Sequence, residues 1–331
     1  MIYWLIGILA AILIILPFIL LDWFSSKQFN RKMDAPYRLD AKDYGLESKT
    51  IDFKNRDAKT LKGYLYYKKD QNHKALILLT PGFNNNHNNY LPEIDYFTSR
   101  GYLVFTFDPT STGKSEGAKV KGLLQIPYDA KSALDYIKQD AWLAGFPLLL
   151  WGFSNGGYAA LGLVNDDKVI AAAALSAFCD VNKMTADHAA AKFGKIAKML
   201  YPYCVIYNRL KYGKNPFGNS IDNVKKCGKP VFLAHGTVDK VVPYKNFLRL
   251  KKYNTHPLSV NISIEGGAHW IRYDSRVNSL RHKLRIRLEK ASPERRADLK
   301  KYYALIAKKI NLSLVKQVAD FYDSALQNLQ K

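Results

Sequence analysis

The apolar pattern begins with an uncharged run over 2–21, interrupted only by Gly7 and Pro17. A helix of about 20 such residues crosses a ~30 Å hydrocarbon core, so this run is expected to be a transmembrane anchor. After a polar stretch at 25–47, apolar residues return in short clusters. Residues 48–53 and 62–67 alternate apolar and polar, which predicts an antiparallel hairpin with one wet face. Residues 75–80, 102–107, 148–152, 170–175, 231–235 and 260–264 are nearly continuous β-branched, aromatic and aliphatic runs, which predicts strands buried on both faces of a parallel sheet. Longer mixed segments separate them, with helical spacing at 158–164, 186–200 and 312–329. Strands alternating with helical crossovers, with no internal repeat, predict a single α/β domain with a mostly parallel eight-stranded sheet flanked by helices. The expected organisation is an anchor at 1–24, a linker at 25–47 and a folded domain at 48–331, with helical insertions at 176–223 and 276–309.

With 331 residues, 48% of them hydrophobic, the chain is not disordered, collagen-like or a coiled coil. The net charge of +22 predicts attraction to anionic surfaces and says nothing about fold. No signature of a nucleic-acid-binding fold accompanies it, so nucleic acid is not an expected partner. Cys179, Cys204 and Cys227 have no metal-ligand spacing and form no disulfide framework. No metal or organic cofactor is expected, and unpaired thiols fit a reducing compartment. Lys27, Arg31, Lys32, Arg38 and Lys42 follow the apolar run, interleaved with Asp22, Asp34, Asp40 and Asp43, and no base precedes it. The absence of a preceding base and of a small-residue cleavage pattern favours an uncleaved anchor over a signal peptide, and the following bases place the folded domain on the cytoplasmic side.

Chemistry enters at Gly152-Phe153-Ser154-Asn155-Gly156, where an apolar strand runs into a helical stretch. A serine on a sharp strand-to-helix turn needs small neighbours, because flanking backbone must approach closely. Gly-x-Ser-x-Gly alone is a weak signal. Two further blocks follow in order at strand ends: His235-Gly236-Thr237-Val238-Asp239, continuing to Val242-Pro243, and Gly266-Gly267-Ala268-His269. Carboxyl ends of parallel strands converge on one rim, so Ser154, Asp239 and His269 can meet.

This ordered set resembles the α/β-hydrolase superfamily, specifically its single-domain serine hydrolases, over roughly 50–326. The resemblance implies the α/β-hydrolase fold, with Ser154 as nucleophile, His269 as general base and then acid, and Asp239 orienting His269. It also implies an oxyanion hole made by the backbone amides of Asn155 and Phe83, the latter in the loop Thr80-Pro81-Gly82-Phe83. Here the chain departs from the family pattern, with Pro81 where histidine is common and the polar run Asn84-Asn85-Asn86. Asp108 to Gly117 resembles the family's Asp-x-Arg-Gly loop but lacks its arginine. The same stretch nearly matches a phosphate-binding loop, yet Asp108 at the first glycine position would repel phosphate.

Among the other histidines, His87 is near enough to the oxyanion loop for a substrate contact, whereas His235 reads as a packed loop residue. His73, His188, His256 and His282 carry no partner signal. Asp180, after the sixth strand, is the rival to Asp239. The insertion at 176–223 is expected to cap the site, and the one at 276–309, dense in Lys and Arg, to lie solvated or against anionic headgroups. The expected function is a membrane-anchored serine hydrolase cleaving an acyl or lipid-like carboxylic ester through an acyl-enzyme. The alternatives are a serine aminopeptidase-like peptidase or acyl thioesterase, and a catalytically silent membrane binding protein. A peptidase selecting a free amine needs acidic groups in the cap, and this cap is mostly basic.

Overall fold

A computed structural model describes residues 1–29, 39, 41–120 and 122–329. Part of the expected linker, residues 30–38 and 40, with Arg31, Lys32, Asp34, Arg38 and Asp40, lies outside the described residues.

Eight strands form one sheet: β1 (Glu47–Lys54), β2 (Thr60–Tyr67), β3 (Ala75–Thr80), β4 (Tyr102–Phe107), β5 (Leu148–Phe153), β6 (Val169–Leu175), β7 (Val231–Gly236) and β8 (Val260–Ile264). Their order across the sheet is β1-β2-β4-β3-β5-β6-β7-β8. β2 runs antiparallel to β1 and β4, and the remaining neighbours are parallel. Every residue of β3, β4, β5 and β7 is buried, which is why these strands read as unbroken apolar runs.

Helices cover both faces. One core cluster joins the sheet to α3 (Gln125–Gln139), α4 (Asn155–Leu163) and α8 (Lys245–Lys251), through residues such as Leu134, Leu161 and Phe247. The other joins it to α2 (Leu91–Ser99) and α11 (Leu312–Leu329) through Ile94, Phe97, Val318 and Tyr322. The basic segment forms two helices, α9 (Ser275–Lys290) and α10 (Pro293–Ala307), which bury Leu284, Leu288, Tyr303 and Ile306 in this second cluster.

Between β6 and β7 lie α5 (Val181–Phe193), α6 (Tyr201–Tyr212) and α7 (Ser220–Lys226). The helix expected over 186–200 is corrected at both ends. It starts at Val181, because Asp180 accepts the Lys183 amide at 2.7 Å as an N-cap. It stops at Phe193, because Gly194 takes a φ of +90° and turns the chain into a 3-10 segment, Lys195–Leu200.

α1 (Ile2–Phe29) contains a stretch, Ile2–Trp23, that is long and apolar enough to cross a membrane. Its 22 residues span about 33 Å as a helix. The end of this stretch meets α6: Phe18 packs edge-to-face on Tyr203 with ring centroids 5.4 Å apart, and the Tyr207 hydroxyl donates to Asp22 at 2.7 Å.

Candidate active site

Ser154 joins β5 directly to α4 with φ +58° and ψ −117°, a conformation that costs an L-residue on the order of 1–3 kcal/mol. The turn is tight because helix and strand backbones nearly touch. A Cβ on Gly152 would lie 2.0 Å from the Gly156 carbonyl oxygen, and one on Gly156 would lie 2.1 Å from the Thr80 carbonyl oxygen. No side chain fits at either position, which is the steric content of the Gly-x-Ser-x-Gly spacing. The Ser154 amide donates to the Leu175 carbonyl at 2.8 Å, holding the turn against the end of β6.

The structure brings Ser154, His269 and Asp239 together. His269 Nε2 lies 3.0 Å from Ser154 Oγ, and His269 Nδ1 lies 2.8 Å from Asp239 Oδ2. Asp239 Oδ1 accepts the amides of Val241 and Val242 at 2.8 and 2.9 Å, which orients the carboxylate. Burial by itself would push the Asp239 carboxyl up, but hydrogen bonds from His235 and His269 outweigh it and hold the group well below the usual carboxylate range. Asp239 is therefore an anion, and Nδ1 facing it carries the proton, leaving Nε2 able to accept one from the serine.

His235 is buried, with Nε2 donating to the Val242 carbonyl at 2.8 Å and lying 3.3 Å from Asp239 Oδ2. It braces the acid loop from behind. Asp180, the rival acid, is occupied as the α5 cap.

Asn155 opens α4, where the first backbone amides have no partner within the helix. Its side chain donates to the Leu123 carbonyl at 2.9 Å. The loop after β3 lies alongside, since β3 and β5 pair up to Thr80 and Gly152, and a Cβ on Gly82 would meet the Phe153 carbonyl oxygen at 2.9 Å. The amides of Asn155 and Phe83 thus sit on adjacent segments flanking the serine. His87 lies further along this loop. Its Nδ1 is 2.5 Å from Asp108 Oδ1, and its ring stacks on Tyr64 with centroids 3.6 Å apart. Asp108 also accepts the Lys114 amide and the Tyr64 hydroxyl, so the position that resembles a phosphate loop is filled by its own carboxylate and donors.

Three residues contribute to the site with no readable motif. His188, on α5, points Nε2 at the Val241 carbonyl at 3.3 Å, placing the cap over the acid loop. Burial lowers its pKa, and the His269 charge lowers it further, against the pull of that carbonyl. Ser176 Oγ donates to the His269 carbonyl at 3.0 Å. Arg272 is fully buried, donates to Glu93 Oε1 at 2.7 Å and to the Asn89 carbonyl at 3.2 Å, and stacks 4.1 Å above the Tyr90 ring. The Tyr90 hydroxyl in turn accepts the Gly82 amide at 2.8 Å, so Arg272 ties the histidine loop to the oxyanion loop. A lone arginine in a base-rich segment and a serine at a strand end offer no sequence signal; only the fold gives them partners.

Among solved structures, the chain is similar to the esterase Pf2001 of Pyrococcus furiosus, with a TM-score of 0.55 and 18% identity over 78% of this chain and 94% of that one. The chain has the α/β-hydrolase fold. The chain is also similar to the acetyl xylan esterase of Paenibacillus sp. R4, with a TM-score of 0.52 and 17% identity over 68% of this chain and 79% of that one. The family described as serine aminopeptidase, S33, matches residues 71–216. In sequence it is 26% identical over 255 residues to the uncharacterized protein YfhR of Salmonella typhi, covering 75% of this chain and 84% of that protein. Protein bem46 of Schizosaccharomyces pombe is 24% identical over 229 residues, covering 65% of this chain and 71% of that protein.

Proposed function

We propose that the chain is a membrane-anchored serine hydrolase that cleaves a carboxylic ester of an acyl, lipid-like substrate through an acyl-enzyme. The row Ser154 Oγ, His269 Nε2, His269 Nδ1 and Asp239 Oδ2, with contacts of 3.0 and 2.8 Å, carries this reading. Ser154 Oγ attacks the carbonyl carbon while His269 Nε2 takes its proton, and the imidazolium formed is stabilised by the Asp239 anion. The tetrahedral oxyanion is held by the amides of Asn155 and Phe83. The C–O bond to the leaving alcohol then breaks, with His269 returning the proton to that oxygen. Water, deprotonated by the same histidine, attacks the acyl carbon, and collapse releases the acid and regenerates Ser154.

An ester is favoured over a peptide with a free amino terminus by the charge of the cap. Across 176–223 there are seven Lys and Arg against three Asp, and of these Asp180 is occupied as the α5 cap and Asp187 lies 3.4 Å from Lys245 Nζ. The anchor assignment rests on the apolar stretch Ile2–Trp23, whose large side chains are mostly exposed. The cytoplasmic placement of the folded domain follows the bases after that stretch.

Labelling of the detergent-solubilised chain with a fluorophosphonate probe tests the mechanism. The native chain is expected to label, and Ser154→Ala and His269→Ala are not. A folded native chain that does not label would move the weight to a silent binding role.

A further inference from the structure

The cap carries apolar side chains that face away from the folded core. In the 3-10 segment and α6, Ile196, Met199, Ile206 and Leu210 are 76%, 73%, 48% and 78% exposed, and Val205 lies beside them. On α6 the positions 202, 205, 206 and 210 share one helical stripe, and Cys204 on another side is buried against Ala186 and Leu21. Lys195, Lys198 and Arg209 are exposed among them. A soluble surface does not gather large side chains this way without a covering partner.

What covers the face is indicated by its position on α1. The contacts from Phe18 to Tyr203 and from Asp22 to Tyr207 join α6 to the last turns of the membrane-length stretch. Phe18, Ile19 and Trp23 share a groove with Leu210, which Asp22, Tyr207 and Lys211 also line, so the apolar surface of α1 adjoins that of the cap. If Ile2–Trp23 crosses a bilayer, α6 lies at the level where hydrocarbon gives way to headgroups. Trp23, Tyr201, Tyr203 and Tyr207 supply the aromatic rings that favour that depth. Lys195, Lys198, Arg209 and Lys211, with no acid between 195 and 212, match an anionic headgroup layer.

We infer that the outer face of Lys195–Leu200 and α6 is an interfacial docking surface that seats the cap in an anionic bilayer, so that the Ser154 site draws its acyl ester from the membrane. The cap links this face to the acid loop beside the site. α6 is linked to α5 by the Asn208 to Asn182 hydrogen bond of 2.7 Å, and α5 reaches the acid loop through His188. The inference rests on the hydrolase and anchor readings above and adds where the substrate comes from.

The test uses the full chain with Cys227→Ser, reconstituted in vesicles of phosphatidylcholine with and without phosphatidylglycerol. Cys179 and Cys204 are buried, so spin labels enter only at introduced sites: Ile196→Cys, Ile206→Cys or, as a control at the far end of the sheet, Asn165→Cys. Docking predicts that labels at 196 and 206 are accessible to oxygen and shielded from a water-soluble nickel chelate, more strongly with phosphatidylglycerol, and that the label at 165 is not. Labels at 196 and 206 exposed to the chelate overturn the docking. In parallel, Ile196→Ser/Met199→Ser/Ile206→Ser is expected to lose about tenfold in rate on a long-chain ester embedded in the vesicles, with a short water-soluble ester cleaved at the native rate. Equal losses on both substrates, or none, overturn delivery from the membrane. A chain that cleaves neither ester fails as a hydrolase, and one that does not sediment with vesicles fails as an anchored protein; in the first case label depth still decides the docking.

Discussion

Ser154 sits at φ +58°, a value that glycine adopts freely and other residues do not. Ser154→Gly removes this strain at the cost of a more flexible unfolded chain, and the balance is a gain of about 1 kcal/mol. The variant is therefore expected to melt a few degrees above the native chain while losing ester hydrolysis by ~10⁴-fold or more; an unchanged or lower Tm would show that the turn is not strained. Asp239 gives the second residue-level expectation. Its folded pKa lies below the ordinary value of about 4, so its charge contributes stability above that pH, which is lost as the pH falls through the folded pKa. Asp239→Asn should lower Tm most at neutral pH, with the gap closing in acid, and should lower kcat by about 10³- to 10⁴-fold. A gap that does not vary with pH would mean that the carboxylate is not held as an anion.

At the scale of elements, the approach of α4 to β5 and β3 is the feature with the least tolerance. A Cβ at Gly156 would meet backbone at 2.1 Å, and backbone cannot rotate away as a side chain can. Gly156→Ala is expected to destabilise by roughly 3 kcal/mol or to prevent folding, whereas Gly145→Ala, where nothing lies within 4 Å, should stay within about 0.5 kcal/mol. Chemical denaturation of both variants checks this contrast. The cap follows different rules. α5 begins at an aspartate cap and ends at a glycine, so its limits are set locally, but its placement over the acid loop depends on tertiary contacts such as His188 to Val241.

For the whole molecule, the charge of +22 and the apolar stretch Ile2–Trp23 make separable predictions for the proposed membrane attachment. Electrostatic attachment is screened by salt and hydrophobic insertion is not. The full chain is expected to stay in the membrane fraction through high salt and alkaline carbonate and to leave only with detergent. Release by salt alone would leave the basic surface as the sole attachment. The thiols offer a check of the fold in solution. Burial pushes Cys179 and Cys204 up to about 12, and Cys227 is only half-buried, so brief maleimide treatment of the native chain should modify Cys227 and spare the other two.

Strand positions were readable in the sequence because burial on both faces of a parallel sheet leaves an unbroken apolar run, and the β3, β4, β5 and β7 runs have that form, whereas β8, expected to be buried likewise, lies at the sheet edge with no buried residue. α11 was readable because its apolar spacing keeps one helical period over its length. The three glycine-bearing blocks were readable for a steric reason: where backbones touch, only one residue type fits, and it leaves a mark in the sequence. The exact turn from α5 into Lys195–Leu200 was not, since the helical spacing runs past Gly194 and only its positive φ ends the helix. Nor were the partners of His188, Ser176 and Arg272, each a single polar residue in an ordinary context. Their hydrogen bonds join segments as far apart as Asn89 and Arg272. A sequence records local periodicity and local steric limits, whereas a contact between distant segments exists only once sheet order and crossovers have brought them to the same rim.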